Sequence, residues 1–149
     1  MIDDHENLWL SNGYIYELNT GNMYQNTIAG EPMLNAPLMD RQGNFWFNHH
    51  DRYVKYDRKN KRSVSVEAPV SSGFDKSEHY VWGISADRQL YRMSIGEGDI
   101  AVLKYDLAQW QIDEISVIRA VSDETILIGS KTSGLWQYDV RTQTAHQIF

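Results

Sequence analysis

Apolar and polar residues alternate along this chain with a period of two, in short runs broken by Asp, Asn or Gly. Four such runs, YIYELN (14–19), YVKYD (53–57), AVLKYD (101–106) and LWQYD (135–139), end in an aromatic residue or Leu followed by Asn or Asp. Polar residues and a further alternating run follow each one: TGNMYQ, RKNKRSVSV, LAQWQI and VRTQTAHQI. A second phrase precedes them. HENLWL (5–10) and QGNFWF (42–47) share Asn, apolar, Trp, apolar, and Trp9 and Trp46 stand 37 residues apart. HYVWGIS (79–85) sets Trp82 a further 36 residues on, and DETILIGS (123–130) keeps the pattern with Leu127 in the Trp place. Side chains two apart share one face of a strand, so the alternation predicts half-buried strands. The segments ISVIRAVSD (115–123) and NAPLMD (35–40) carry it too. No window of about 12 residues holds a helical period.

In order, one unit reads strand, Asp-rich turn, strand, short loop, strand, Tyr-Asp turn, strand. Four short strands in about 35–45 residues is the period of a propeller blade. The expected fold is therefore all-β: a β-propeller fragment of about four four-stranded antiparallel blades, near 1–34, 35–68, 69–113 and 114–149. Ile2-Asp3-Asp4 reads as the tail of a first strand, which makes the first blade incomplete and the chain a piece of a larger propeller or reading frame. The third unit is stretched, with a hairpin expected at Gly96-Glu97-Gly98. A blade is apolar on both faces and stable only when stacked, so Trp9, Trp46 and Trp82 are expected between blades, as frame. The stretches Asp4–Asn7 and Asp40–Asn44 suit tight turns, Asp capping backbone N–H groups and Gly or Asn taking positive φ.

Composition narrows the function. A net charge of −6 opposes nucleic acid as a partner, since phosphate backbones need a basic face. The absence of cysteine removes disulfides, thiolate metal sites and a cysteine nucleophile. No apolar stretch has the length of a membrane span, so no membrane contact is expected of this segment, and MIDDHENLWL lacks the pattern of a signal peptide. No Gly-x-Ser-x-Gly, His-Glu-x-x-His or phosphate-binding Gly loop occurs, and no cofactor is expected.

DDHENLWLSNGYIYELNTG, DRQGNFWFNHHDRYVKYDRKN and SDETILIGSKTSGLWQYDVRTQT resemble the two-component regulator propeller repeat, which reads roughly Asp-x-x-Gly-Asn-Leu-Trp-Ile-Gly-Thr, gap, Gly-Leu-x-x-Tyr-Asp. The resemblance implies a propeller in the extracytoplasmic, periplasmic part of a membrane-anchored sensor, detecting oligosaccharides without chemistry of its own. Ser11 and Asn48 depart from the repeat; Gly129-Ser130 keeps its Gly. The phrase GNFWF with YVKYD is also similar to streptogramin lyases, which implies a catalytic His, nominally His49 or His50, and magnesium. A structural fragment without a ligand is the third possibility.

The expected ligand-binding residues lie in the loops between second and third strands: His49, His50 and Arg52, then Asp87 and Arg88, then Lys131, with Asn12-Gly13 in the equivalent first loop. Arg can hold a carboxylate in bidentate fashion. Adjacent His side chains on a strand point to opposite faces, which disfavours a shared metal. His5, His79 and His146 are expected in ordinary structural roles. Uncovered blade faces should drive association, and two four-blade arcs closing into an eight-blade ring is the simplest homo-oligomer.

Overall fold

The structure, a computed structural model, describes residues 1–10, 14–25, 27–28, 31–32, 37–49, 52–96 and 99–149. Every regular element among them is a strand. The chain divides into two compact units, Met1–Met39 with Gly43–Val66, and Asp40–Gln42 with Glu67–Phe149.

In the first unit, β1 (Asn7–Trp9), β2 (Tyr14–Glu17) and β3 (Met23–Gln25) form a three-stranded antiparallel sheet. Ile2 bridges Leu8 where a first strand would run. A small hairpin, β4 (Thr27–Ile28) with β5 (Glu31–Pro32), was not foreseen from the pattern. The next sheet is β6 (Leu38–Met39), β7 (Phe45–His49), β8 (Arg52–Asp57) and β9 (Arg62–Val66), in sequential order. Trp9 and Ile15, neighbours across β1 and β2, pack on Phe45, Phe47 and Val54 of the second sheet. Trp9 meets Phe45 edge to face at 4.8 Å, so this Trp is a knob between two sheets.

The second unit repeats the plan. One sheet holds β10 (Val70–Lys76), β11 (Tyr80–Ser85), β12 (Gln89–Ser94) and β13 (Val102–Asp106). The other holds β14 (Ile115–Ala120), β15 (Thr125–Ser130), β16 (Gly134–Asp139) and β17 (Thr144–Gln147). Trp82, Ile84 and Leu90 of one sheet form a single core with Ile118, Ile126, Ile128 and Tyr138 of the other. Trp82 stands where Trp9 stands, because in both sheets it lies two residues after the residue whose carbonyl closes the preceding turn, Asn7 or Tyr80.

The Tyr-Asp phrase behaves uniformly in three sheets only. Tyr16-Glu17, Tyr56-Asp57 and Tyr138-Asp139 close third strands, and in each the residue four beyond the acid has positive φ: Gly21, Lys61 and Gln143. Tyr105-Asp106 instead closes β13, a fourth strand. The run LAQWQI is accordingly no strand. It is the crossing from β13 to β14, with Leu107 and Ile112 wholly buried. The expected third-unit hairpin joins β12 to β13, and Glu97 and Gly98 at its tip lie outside the described residues.

Candidate binding face

The motif that defines the repeat builds the frame. Asp3 accepts hydrogen bonds from the backbone N–H groups of His5 (2.8 Å) and Asn7 (3.0 Å), from Asn7 Nδ2 (3.2 Å) and from the buried Trp9 Nε1 (2.8 Å). One carboxylate thus fixes the turn and orients the indole. Burial raises its pKa, but the bonds from Trp9, Asn7 and His5 outweigh burial and hold it below the usual value. Positive φ falls on Glu6 (60°) and Gly43 (81°) rather than on Asn7 or Asn44. Arg58 grips Asp4 with both terminal nitrogens, at 2.9 and 3.1 Å, donates to the Gly43 carbonyl at 2.8 Å and lies 4.4 Å over the Phe45 ring. Asp3, Asp4 and His5 could present three ligand atoms to a metal. Their oxygens are already committed to this turn and to Arg58.

In the second unit the same turn lacks its acid. Ser77, 37 residues after Asp40, accepts a hydrogen bond from Trp82 Nε1 at 2.9 Å and donates its own to Asp123 Oδ1 at 2.5 Å. Asp123 belongs to the turn between β14 and β15. It also accepts from the His79 backbone N–H (3.1 Å) and meets His79 Nδ1 at 2.6 Å. A carboxylate of the neighbouring sheet therefore does here what Asp3 does within its own. His79, expected to be merely structural, is one half of an inter-sheet pair; nothing local in the sequence marks a partner 44 residues away.

The pair has a pH signature. Its hydrogen bond to Asp123 raises the His79 pKa above the ordinary 6.5. Burial pushes Asp123 up, but the bonds from Ser77 and His79 bring it net below 3.8. A raised histidine stabilises fully below its unfolded pKa and loses that effect as pH rises through the folded one. A lowered carboxylate stabilises above its unfolded pKa and loses the effect as pH falls through the folded one. The pair is therefore strongest between about pH 4 and about pH 6.5. The stability difference between the parent and His79→Gln, taken from urea midpoints, should be largest in that window and shrink toward pH 8. A difference that stays constant from pH 5 to pH 8 would show that no charge on His79 is involved.

The loop residues singled out by sequence fall as follows. His49 ends β7 and pairs with Arg52 across the hairpin, and Arg52 is exposed. The His49 side chain, all of His50, and Asn12-Gly13 lie outside the described residues. In the second unit, Asp87 and Arg88 form the turn between β11 and β12, and Lys131 opens the turn between β15 and β16. The crossing from β13 to β14 brings these two turns together. Arg88 Nη1 pairs with Asp113 at 2.7 Å, while the Lys131 backbone N–H donates to the Glu114 carbonyl at 3.1 Å. Ser130 Oγ donates to the Asp113 carbonyl, and Thr132 Oγ1 does so at 3.4 Å. Ser85 Oγ donates to Asp87. Sequence reasoning missed Asp113 and Glu114, which lie where strand periodicity stops. Arg88 (φ 62°) and Glu114 (φ 46°) both hold left-handed backbone, which L-residues adopt at a cost and which concentrates at functional loops. Asp87, Asp113, Glu114 and Lys131 are exposed, so carboxylate, ammonium and guanidinium groups stand together on a face set by short turns.

On the side of the turns that hold Ser77 and Asp123, a shallow open groove of about 440 Å³ is lined by Arg41, Lys76, Glu78, Ser122 and Glu124. Its charges are mixed, and the Asp123 carboxylate on its wall is engaged by Ser77 and His79.

No family model and no curated protein matches the chain. Among solved structures it is similar to the N-terminal domain of Nup159, with TM-score 0.61 and 13% identity over 91% of this chain and 42% of that one. It is similar also to BamB from Moraxella catarrhalis, with TM-score 0.59 and 16% identity over 98% of this chain and 45% of that one. A third is the Cps50 (Swd1) β-propeller domain of Myceliophteria thermophila, with TM-score 0.54 and 15% identity over 96% and 55%. The chain thus spans between 42% and 55% of the length of these neighbours. At such identities the likeness concerns the fold alone, and that fold is the β-propeller, here as a partial one.

Proposed function

We propose that this chain is a non-catalytic, ligand-binding segment of a sensor propeller, that its ligand is an oligosaccharide, and that it serves a periplasmic two-component receptor. The observation that carries the binding role is the joining of Arg88, Asp113, Glu114 and Lys131 by one crossing into an exposed polar face. Sugar hydroxyls are recognised by carboxylates and cationic donors held on a rigid frame, with their partners fixed before the ligand arrives. The non-catalytic role is supported by the chemistry of the best-placed groups. Ser77, His79 and Asp123 have the identities of a hydrolytic triad, yet the Ser77 hydroxyl donates to Asp123 and is itself buried beneath Trp82. The receptor setting is supported by the repeat phrases around Trp9, Trp46 and Leu127.

Calorimetric titration with a panel of neutral and uronate-bearing oligosaccharides tests the proposal. Saturable binding without turnover is expected, weakened at least tenfold by Lys131→Ala with an unchanged melting temperature. Silence across the panel would overturn the sensing role. Magnesium-dependent turnover of a lactone would replace it with a lyase.

A further inference from the structure

Arg58 and Arg92 are both stacked on aromatic rings, but their donors are used differently. Arg58 lies 4.4 Å over the Phe45 ring; both its terminal nitrogens donate to Asp4, and its Nε donates to the Gly43 carbonyl. Arg92, on β12, lies 4.3 Å over the Tyr80 ring and 5.9 Å from the ring centre of Tyr105. Two aromatic contacts thus order a side chain that carries about 2 kcal/mol of rotamer entropy when free. Among the described residues, no ion pair or hydrogen bond engages its guanidinium. Arg92 is half-buried, so part of it meets solvent. Ser94, two residues further on, shares the Arg92 face and stands directly across from Tyr80. Its hydroxyl oxygen accepts the Ala101 N–H at 2.8 Å, and among the described residues nothing takes its proton. Leu103, directly across from Arg92 on β13, is 49% exposed. No acid on β11, β12 or β13 shares that face, and Asp75, across from Trp82 on β10, accepts the Ala120 N–H at 2.7 Å.

We propose that Arg92 and Ser94 bind the carboxylate of a small organic acid, whose carbon body lies against Leu103. The guanidinium fork matches a carboxylate with two parallel hydrogen bonds, and the Ser94 hydroxyl adds a donor from the same face. The same molecule displays that pairing in Arg58 with Asp4. Because Tyr80 and Tyr105 hold the Arg92 side chain beforehand, little of its ordering is left to be done on binding. A sugar acid and an acidic amino-acid side chain both carry this group. The site is separate from the polar face around Lys131 and does not rest on the function proposed for that face.

Calorimetric titration of the full chain carrying Lys131→Ala removes any contribution from the turn face and tests this site by itself. The probes are trigalacturonate, its methyl ester and triglutamate. Saturable binding is expected from trigalacturonate, from triglutamate or from both, with the ester at least about tenfold weaker than its acid. Binding of the sugar alone assigns a uronate, and binding of the peptide alone assigns an acidic side chain. Arg92→Lys, added to the same background, keeps the charge but not the fork and should weaken binding about tenfold. Ser94→Ala, which leaves the guanidinium in place, should weaken it about threefold. Both variants should keep the near-ultraviolet dichroism of their background. Silence from both acids, an ester that binds as well as its acid, or binding undiminished by Arg92→Lys would each overturn the proposal.

Discussion

Trp82→Ala is expected to remove about 3–5 kcal/mol from the stability of the second unit, the range for deleting a large aromatic side chain from a close-packed core. Trp82 has no solvent exposure, and Ile84, Leu90, Ile118, Ile126 and Ile128 belong to the cluster around it. Residues on both sheets lose their partner together, and close packing leaves the backbone little freedom to fill the space. Tyr80, edge to face with Trp82 at 5.9 Å and with Arg92 4.3 Å from its ring, would lose an aromatic neighbour as well. Trp82→Phe separates packing from hydrogen bonding. It keeps most of the apolar volume but withdraws the Nε1 donor from Ser77, and about 1–3 kcal/mol is expected. Trp136→Ala is the internal comparison, since Trp136 is half-buried at the edge of the same core and should cost less. Urea unfolding followed by far-ultraviolet dichroism measures all three. A Trp82→Ala cost below about 1 kcal/mol would mean that this indole does not hold the sheets together.

The frame was legible because it repeats. Asp3, Asp40 and Ser77 succeed one another at 37 residues, and Trp9, Trp46 and Trp82 nearly so. Period-two alternation located most strands between those marks. Alternation is identical in a third and a fourth strand, however, so Tyr105-Asp106 could not be placed until β12 was seen to form its own hairpin with β13. The buried crossing that follows was equally hidden, since Leu107 and Ile112 bury apolar side chains without a strand to bear them. The candidate face was half legible. Turn positions pointed to Asp87, Arg88 and Lys131, whereas Asp113 and Glu114 reach the same face only through the path of that crossing.

The partnership of Ser77 with Asp123 lay furthest from view, and it yields the sharpest test. Asp123→Ala leaves three donors without their acceptor: the buried Ser77 hydroxyl, the His79 backbone N–H and, when protonated, the His79 ring. Hydrogen bonds to a charged acceptor are worth about 1.5–3 kcal/mol each and overlap when they share one carboxylate, so a loss of about 2–4 kcal/mol is expected. Asp3 shows how a sheet manages without a borrowed carboxylate: its own acid receives Trp9 Nε1 at 2.8 Å, much as Ser77 receives Trp82 Nε1 at 2.9 Å. Ser77→Asp should therefore change sign with its background. In the parent it sets a second carboxylate against Asp123, and like charges at that separation oppose each other, so the protein is destabilised. In Asp123→Ala it supplies the missing acceptor and should recover half or more of the loss. The four urea midpoints form a double-mutant cycle whose coupling term carries the argument. Equal harm from Ser77→Asp in both backgrounds would show that Asp123 does not stand in for the absent acid of the third turn.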